Sequence, residues 1–184
     1  MTVRARVPML GDPLPAALAA RPIEPHRKLP TPLVNQHTDA DGTEFVDFVG
    51  ISAERAAEVA EQGRCGLCGV ELDYWIAFLG GPASAEHRSY GDPPMHEGCA
   101  VAALTLCPHL RLCRHRRAPD HRLHPNTAAP AGWREEKPDR WVLGISRDFT
   151  ARYVRGSLIF FPQAFKRLRI FDYSGPDNQL VEVT

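Results

Sequence analysis

The sequence predicts an α+β fold that is built around a metal centre and completed by a mostly antiparallel C-terminal sheet. Three observations predict this fold. A Cys-Gly-Leu-Cys-Gly segment at 65–69 is followed by His-Glu-Gly-Cys at 96–99. A helical pattern with clear start and stop signals lies just before the first segment. From residue 141 onward, short runs of branched and aromatic residues alternate with turn residues, which is typical of paired strands.

The composition is that of an ordinary globular chain. Of 184 residues, 43% are hydrophobic and 24% charged, which predicts one domain with a sizeable core. The net charge is zero, so any attraction to a polyanion must come from a local patch. We read no signal peptide and no membrane-spanning run. Five cysteines, two of them in a C-x-x-C pair, favour metal binding in the cytoplasm over disulfides.

Three regions are predicted along the chain. Residues 1–42 are rich in proline and predict an extended arm, which is either draped over the domain or partly disordered. Residues 43–124 contain the cysteine and histidine segments and predict the metal-binding region. Residues 125–184 predict a β region that packs with it as one globular unit. The sequence leaves the oligomeric state open.

The first regular elements of the metal-binding region have local signals. Residues 43–49 (TEFVDFV) predict a short strand because branched and aromatic residues alternate with polar ones. Residues 51–63 predict a helix. Ser52 is a suitable N-cap, and Gly63 suits the left-handed position that ends a helix.

The two metal-binding segments are predicted to flank a hairpin. Residues 71–79 and 85–90 predict its strands, because a Gly-Gly-Pro turn separates them. Residues 92–107 predict a helix that Asp92 caps and Pro108 ends.

The C-terminal region predicts three or four strands. Residues 141–146, 152–161, 168–173 and 179–183 are each rich in branched or aromatic side chains. Residues 174–178 (SGPDN) are turn residues and predict the last hairpin loop.

Four residues are predicted to hold a zinc ion: Cys65, Cys68, His96 and Cys99. The C-x-x-C turn supplies two thiolates, and His96 and Cys99 lie three apart, which places them on one face of a helix. The N-terminus of that helix also favours thiolate over thiol. Two alternatives remain: a buried Cys/His cluster without metal, and a C-x-x-C redox pair, which the absence of a βαβ pattern disfavours.

The C-x-x-C turn at residues 65–69 is called the knuckle below. The order of knuckle, hairpin and helix resembles the treble-clef zinc fingers of the C-x-x-C…H-x-x-C type. The resemblance covers residues 64–108, about a quarter of the chain. It implies a structural zinc centre within the 43–124 region and is unspecific about function. The overall pattern also resembles small zinc-binding proteins of actinobacteria and their phages, which implies one compact zinc-stabilised unit.

A basic stretch follows the predicted helix. Residues 107–124 contain two cysteines, four histidines and five arginines. Cys107 lies about 12 Å along a helix from Cys99, too far to join the first site, and is interpreted as a core residue. A second zinc site within this stretch remains an alternative. The predicted anion-binding residues are Arg111, Arg114, Arg116 and Arg117.

The sequence predicts a binding or regulatory module, with nucleic acid and protein both open as partners. Four protein ligands leave zinc no open position for catalysis, so no catalytic residue is assigned. The alternative is a divergent metal-dependent nuclease, because HNH-type nucleases use a similar scaffold. Their hairpin carries a histidine base, and Glu86-His87 stands at the corresponding place here. The further Asn and His of that family have no counterpart on the following helix.

Overall fold

The computed structural model describes residues 6–113 and 137–183. Eleven strands and five α-helices are present in these two ranges. The strands are β1 (Ile23–Glu24), β2 (Leu29–Pro30), β3 (Gln36–Thr38), β4 (Glu44–Val46), β5 (Ile76–Gly80), β6 (Met95–His96), β7 (Arg140–Ser146), β8 (Phe149–Val154), β9 (Ser157–Pro162), β10 (Arg167–Asp172) and β11 (Val181–Val183). The helices are α1 (Ala16–Ala19), α2 (Ala53–Gln62), α3 (Pro82–His87), α4 (Glu97–Leu106) and α5 (Pro108–Arg111).

A five-stranded antiparallel sheet forms the centre of the molecule. Its strand order is β11-β10-β7-β5-β6, and every neighbouring pair is antiparallel. β7 lies in the middle, and all its residues except the first are buried. Leu104 of α4, Leu143 of β7 and Phe171 of β10 belong to the main core cluster and are fully buried. The predicted mixture of helices with a mostly antiparallel sheet is therefore confirmed.

Helix α2 begins and ends at the residues that its sequence signals predict. The Ser52 side chain accepts a hydrogen bond from the Arg55 amide at 3.2 Å, and Gly63 has a φ of 62° at the C-terminal end. The preceding strand is shorter than predicted. Only Glu44–Val46 of residues 43–49 is extended, as β4, and it pairs with β3.

The predicted hairpin between the two metal-binding segments is wrong in its second strand. Residues 82–87 form helix α3, which Gly81 precedes and Pro82 begins. The Gly-Gly-Pro sequence acts as a helix start because proline suits the first helical position. The partner of β5 is instead β6, where His96 lies opposite Ile76.

Helix α4 begins later than predicted. Residues 92–94 are not helical, and the helix starts at Glu97. Each of the two successive prolines favours an extended backbone in the residue before it. The chain therefore stays extended up to β6, and the helix forms only after that strand. The predicted cap at Asp92 is therefore wrong. Pro108 follows the end of α4, as predicted, and also begins the short helix α5.

In the C-terminal region the predicted strand over 152–161 is a hairpin of two strands, β8 and β9. Arg155 and Gly156 join them, with φ values of 50° and 83°. Two consecutive positive φ angles match the two-residue turn whose twist suits a hairpin. Residues 174–178 connect β10 to β11, which confirms the predicted last hairpin.

The described part of the N-terminal segment, residues 6–42, lies against the domain. It contains α1 and the β1–β2 pair, and its side chains Leu18, Leu33 and Val34 are buried. Leu18 joins the main core cluster, whereas Leu33 and Val34 pack with Val59 of α2. Proline-rich sequence here forms a covering layer that contributes to the core.

Candidate metal centre

Cys65 and Cys68 lie on a tight turn that is closed by backbone hydrogen bonds. The Gly69 amide donates to the Cys65 carbonyl at 2.8 Å, and the Cys65 amide donates to the Val70 carbonyl at 2.8 Å. Gly69 has a φ of 79°, a conformation that side chains disfavour. The turn therefore presents both thiols to the same side, and both are buried.

His96 and Cys99 come from the junction of β6 and α4. His96 is the last residue of β6 and the N-cap position of α4, and Cys99 lies in the first turn. Pairing of β6 with β5 holds this junction beside the knuckle. The structure thus brings together all four predicted ligands.

The ligand atoms of these four residues form one compact group. The three Sγ atoms and one imidazole nitrogen all lie within 4.8 Å of one another. Tetrahedral bonds of ~2.0–2.3 Å to a zinc ion would set these separations at roughly 3.3–3.8 Å, so small side-chain movements would suffice to close the shell. The cluster could hold a metal ion.

The imidazole of His96 is oriented by its second nitrogen. Nε2 lies 2.9 Å from the carbonyl oxygen of Glu71, to which its N–H can donate. Nδ1 then faces the sulfurs, 3.3 Å from Cys68 Sγ and 4.0 Å from Cys99 Sγ. Metal-binding histidines commonly use such a backbone carbonyl to select the tautomer and the ring orientation. The role of Glu71 is not evident from the sequence because its main-chain carbonyl, and not its side chain, makes the contact.

The electrostatics of the cluster favour a negative charge on Cys65. Hydrogen bonds from the Cys68 and Cys99 thiols hold the pKa of Cys65 far below its usual range. The same Cys65 thiolate raises the pKa of Cys99, and its hydrogen bond with His96 raises the imidazole pKa to about 11. A positive charge next to this buried thiolate is therefore stabilising, and a bound cation could supply it.

A charged network anchors the start of α4 to the central sheet. Glu97, which lies between the two ligands, pairs with Arg167 and with Arg169, the latter at 3.0 Å. Arg169 also binds Glu182 of β11 with two hydrogen bonds of 2.7 Å each. This network is not predicted from the sequence. Its one available signal was the spacing of the two arginines, which places them on one face of a strand.

The alternative second site lies only partly in the described residues. Of its members, Cys107, His109 and Cys113 are described, and they form no metal-binding group of three. Cys107 is half-buried where α4 ends, and Cys113 is exposed. The remaining histidines of this stretch lie outside the described residues.

The predicted anion-binding residues are described in part. Arg111 is exposed on α5, whereas Arg114, Arg116 and Arg117 fall outside the described residues. Glu86 and His87, the pair considered for nuclease chemistry, are exposed at the end of α3. They lie on a helix and not on a hairpin strand, unlike the corresponding pair in the HNH-type scaffold.

No family model matches this chain, and neither a curated protein nor a solved structure matches it. Within residues 6–113 and 137–183, no helix has the length and apolar character to cross a bilayer.

Proposed function

We propose that Cys65, Cys68, His96 and Cys99 hold one Zn²⁺ ion that stabilises a small cytoplasmic binding or regulatory module. The observation that carries this proposal is the convergence of their ligand atoms within 4.8 Å. Three thiolates and one imidazole form a soft donor set, which suits tetrahedral zinc and does not suit Mg²⁺ or Ca²⁺. All five described cysteines are free thiols, which agrees with a reducing compartment.

The order of elements supports a treble-clef arrangement. The knuckle at 65–69 is followed by the antiparallel pair β5–β6 and then by α4. One ligand pair comes from the knuckle, and the other comes from the start of the helix. The hairpin closes through β6, and α3 lies in the connection between its two strands.

A structural role for the metal follows from the number and burial of the ligands. Four protein ligands complete a tetrahedral shell, whereas a catalytic zinc keeps one position for water or substrate. Cys65, Cys68 and Cys99 are buried, so the ion would be shielded from solvent on the thiolate side. The exposed position of His87 on α3 gives no support to the nuclease alternative.

An exposed aromatic patch on the loop between the knuckle and β5 supports a binding role. Tyr74 and Trp75 are 63% and 40% exposed, and the Arg147 guanidinium lies over both rings at 5.0 and 5.2 Å. Tyrosine, tryptophan and arginine dominate the energetic centres of protein interfaces. Glu71 and Asp73 on the same loop are exposed and acidic, which disfavours a polyanion at this patch. A protein partner therefore fits it better than nucleic acid.

The metal proposal is tested by elemental analysis of the purified chain. We expect one zinc per chain, and a Co²⁺-substituted sample should show thiolate charge-transfer bands with tetrahedral ligand-field bands. Two zinc ions per chain would place a second site in the 107–124 stretch. A folded chain without bound metal would refute the proposal.

The partner proposal is tested by two matched variants. Trp75→Ala should abolish capture of a protein partner, whereas joint replacement of Arg114, Arg116 and Arg117 by Ala should leave it intact. If the partner is instead nucleic acid, affinity should fall steeply with salt. The arginine replacements should then weaken binding to all sequences alike, and this outcome would contradict a protein partner.

A further inference from the structure

The N-terminal segment is hydrogen-bonded directly to the metal knuckle. The Leu33 amide donates to the Leu67 carbonyl at 2.9 Å, and the Val34 amide donates to the Gly66 carbonyl at 3.1 Å. The two acceptors are the residues between Cys65 and Cys68. The segment therefore fixes the backbone that carries the first ligand pair, although it contributes no ligand itself.

Arg21 of the same segment is aimed at the knuckle. Its Nε donates to the Thr31 carbonyl at 3.0 Å, and its Nη2 donates to Gln36 Oε1 at 2.6 Å. Its third nitrogen, Nη1, lies 3.9 Å from the point where Gly69 would carry a Cβ atom. Two hydrogen bonds thus hold the guanidinium at the residue next to Cys68.

The position of the Arg21 guanidinium beside Gly69 brings its charge close to Cys68, the preceding residue. Burial lowers the pKa of Arg21, and the electrostatic attraction of Cys68 opposes that effect. The guanidinium is half-buried, so this attraction is screened less than between exposed groups. Arginine stays protonated in such a place, and its charge is therefore permanent.

A zinc ion bound by three thiolates and a neutral imidazole carries one negative charge in excess. In a buried site this charge needs compensation from outside the ligand shell. We infer that Arg21 is a positioning residue of the metal centre, which offsets the excess charge at Cys68 and ties the N-terminal segment to the bound ion. The inference rests on the proposed zinc site and extends it to a residue 44 positions before the first ligand in the sequence.

Two chemical consequences follow for the zinc-bound thiolates. A fixed positive charge beside Cys68 stabilises the thiolate form, so the ion should be held more tightly. It also lowers the electron density on sulfur, and thiolate nucleophilicity falls with that density. Loss of outer-shell partners typically weakens metal affinity by about 10–100-fold.

The experiment compares the zinc-loaded full chain with Arg21→Gln, Arg21→Lys and the control Arg27→Gln. Arg27 belongs to the same segment but is directed at the ring of Phe48. Zinc affinity is measured by competition with a chromophoric chelator, and thiolate reactivity by the rate of alkylation with iodoacetamide. We expect Arg21→Gln to bind zinc roughly tenfold more weakly and to be alkylated faster. Arg21→Lys should recover part of both effects, and Arg27→Gln should match the parent.

The cobalt spectrum of each variant separates the inference from the zinc proposal itself. If the parent shows no thiolate coordination, the proposed zinc site fails. If all variants show three-thiolate coordination while Arg21→Gln keeps the parent's affinity and alkylation rate, only the role of Arg21 is overturned. Should Arg21→Gln not fold, Gln36→Leu releases the guanidinium without removing its charge and should give a smaller change in the same direction. An unchanged Gln36→Leu would then overturn the inference.

Discussion

The network around Arg169 gives the most direct test of how the sheet supports the metal centre. The Arg169 side chain is only 4% exposed, and it donates three hydrogen bonds to the carboxylates of Glu97 and Glu182. Arg167, two positions earlier on the same strand, pairs with the same Glu97 but is 40% exposed. The two arginines therefore share Glu97 as a partner but differ in burial, and only Arg169 also binds Glu182.

Replacement of Arg169 by Met keeps an unbranched apolar side chain but removes the guanidinium and its charge. Removal of one partner from a buried ion pair typically costs 3–5 kcal/mol, because the remaining charge is left buried. Glu97 keeps Arg167, and Glu182 is 29% exposed, so we expect the lower end, about 3 kcal/mol. Arg167→Met should cost about 1 kcal/mol or less, as is usual for partly exposed pairs.

The assay is urea unfolding of the zinc-loaded proteins, followed by circular dichroism at neutral pH. Both variants should keep one zinc per chain and the parental denaturant dependence, so that the free energies of unfolding can be compared. A double-mutant cycle with Glu97→Gln then measures the coupling between Glu97 and Arg169. Equal destabilisation by Arg169→Met and Arg167→Met would refute the argument that the buried arginine anchors α4.

Three further predictions concern the ligands, the knuckle and acid stability. Cys68→Ser should lose zinc and fold poorly, because the binding free energy of a structural zinc is part of the folding free energy, whereas exposed Cys113→Ser should leave metal content and solubility unchanged. Gly69→Ala should destabilise the protein more than Gly156→Ala in thermal unfolding. Both positions have positive φ, at a cost of about 1–2 kcal/mol, but only at Gly69 does a Cβ also meet Leu33, at 3.3 Å. Hydrogen bonds from Arg169 lower the pKa of Glu182, so its contribution is present above its ordinary pKa of 4.5 and is lost as the pH falls through the lower folded-state value. Glu182→Gln should remove that part of the acid dependence in urea titrations between about pH 3 and 6, and an unchanged pH profile would contradict it.

Some features of this protein are determined by residues that are close together in sequence. The Ser52 cap and the Gly63 end specify α2, and the SGPDN loop specifies the last hairpin, because each signal acts on the backbone within a few residues. The spacing of the two Cys/His pairs determines which four side chains can converge. The first pair, Cys65 and Cys68, sits on a short turn that local backbone hydrogen bonds close, so no distant contact is needed to present both side chains to one side.

Other features were decided only by contacts between distant segments. The strand predicted over residues 85–90 would have paired with β5, but β5 pairs with β6 and β7 instead, and residues 82–87 follow the local helix start at Pro82 as α3. The two prolines before β6 keep the chain extended, and the pairing of β6 with β5 then fixes where a strand end and a helix start together present the second ligand pair. In the sequence, Glu97 resembles any acidic residue in the first turn of a helix. Its partners on β10 lie 70 or more positions away, and no local pattern encodes that contact.

The N-terminal segment shows the same division most clearly. Its prolines predict extended chain, because they restrict the backbone wherever they occur. Leu33 and Val34 pair with the knuckle, and the Arg21 guanidinium lies beside Gly69, because of the shape of the surface that the domain presents. The sequence alone determined the ligand types and their spacing through short-range chemistry. The tertiary structure decided which distant charges and amides surround them, because burial and long-range pairing are properties of the packed chain.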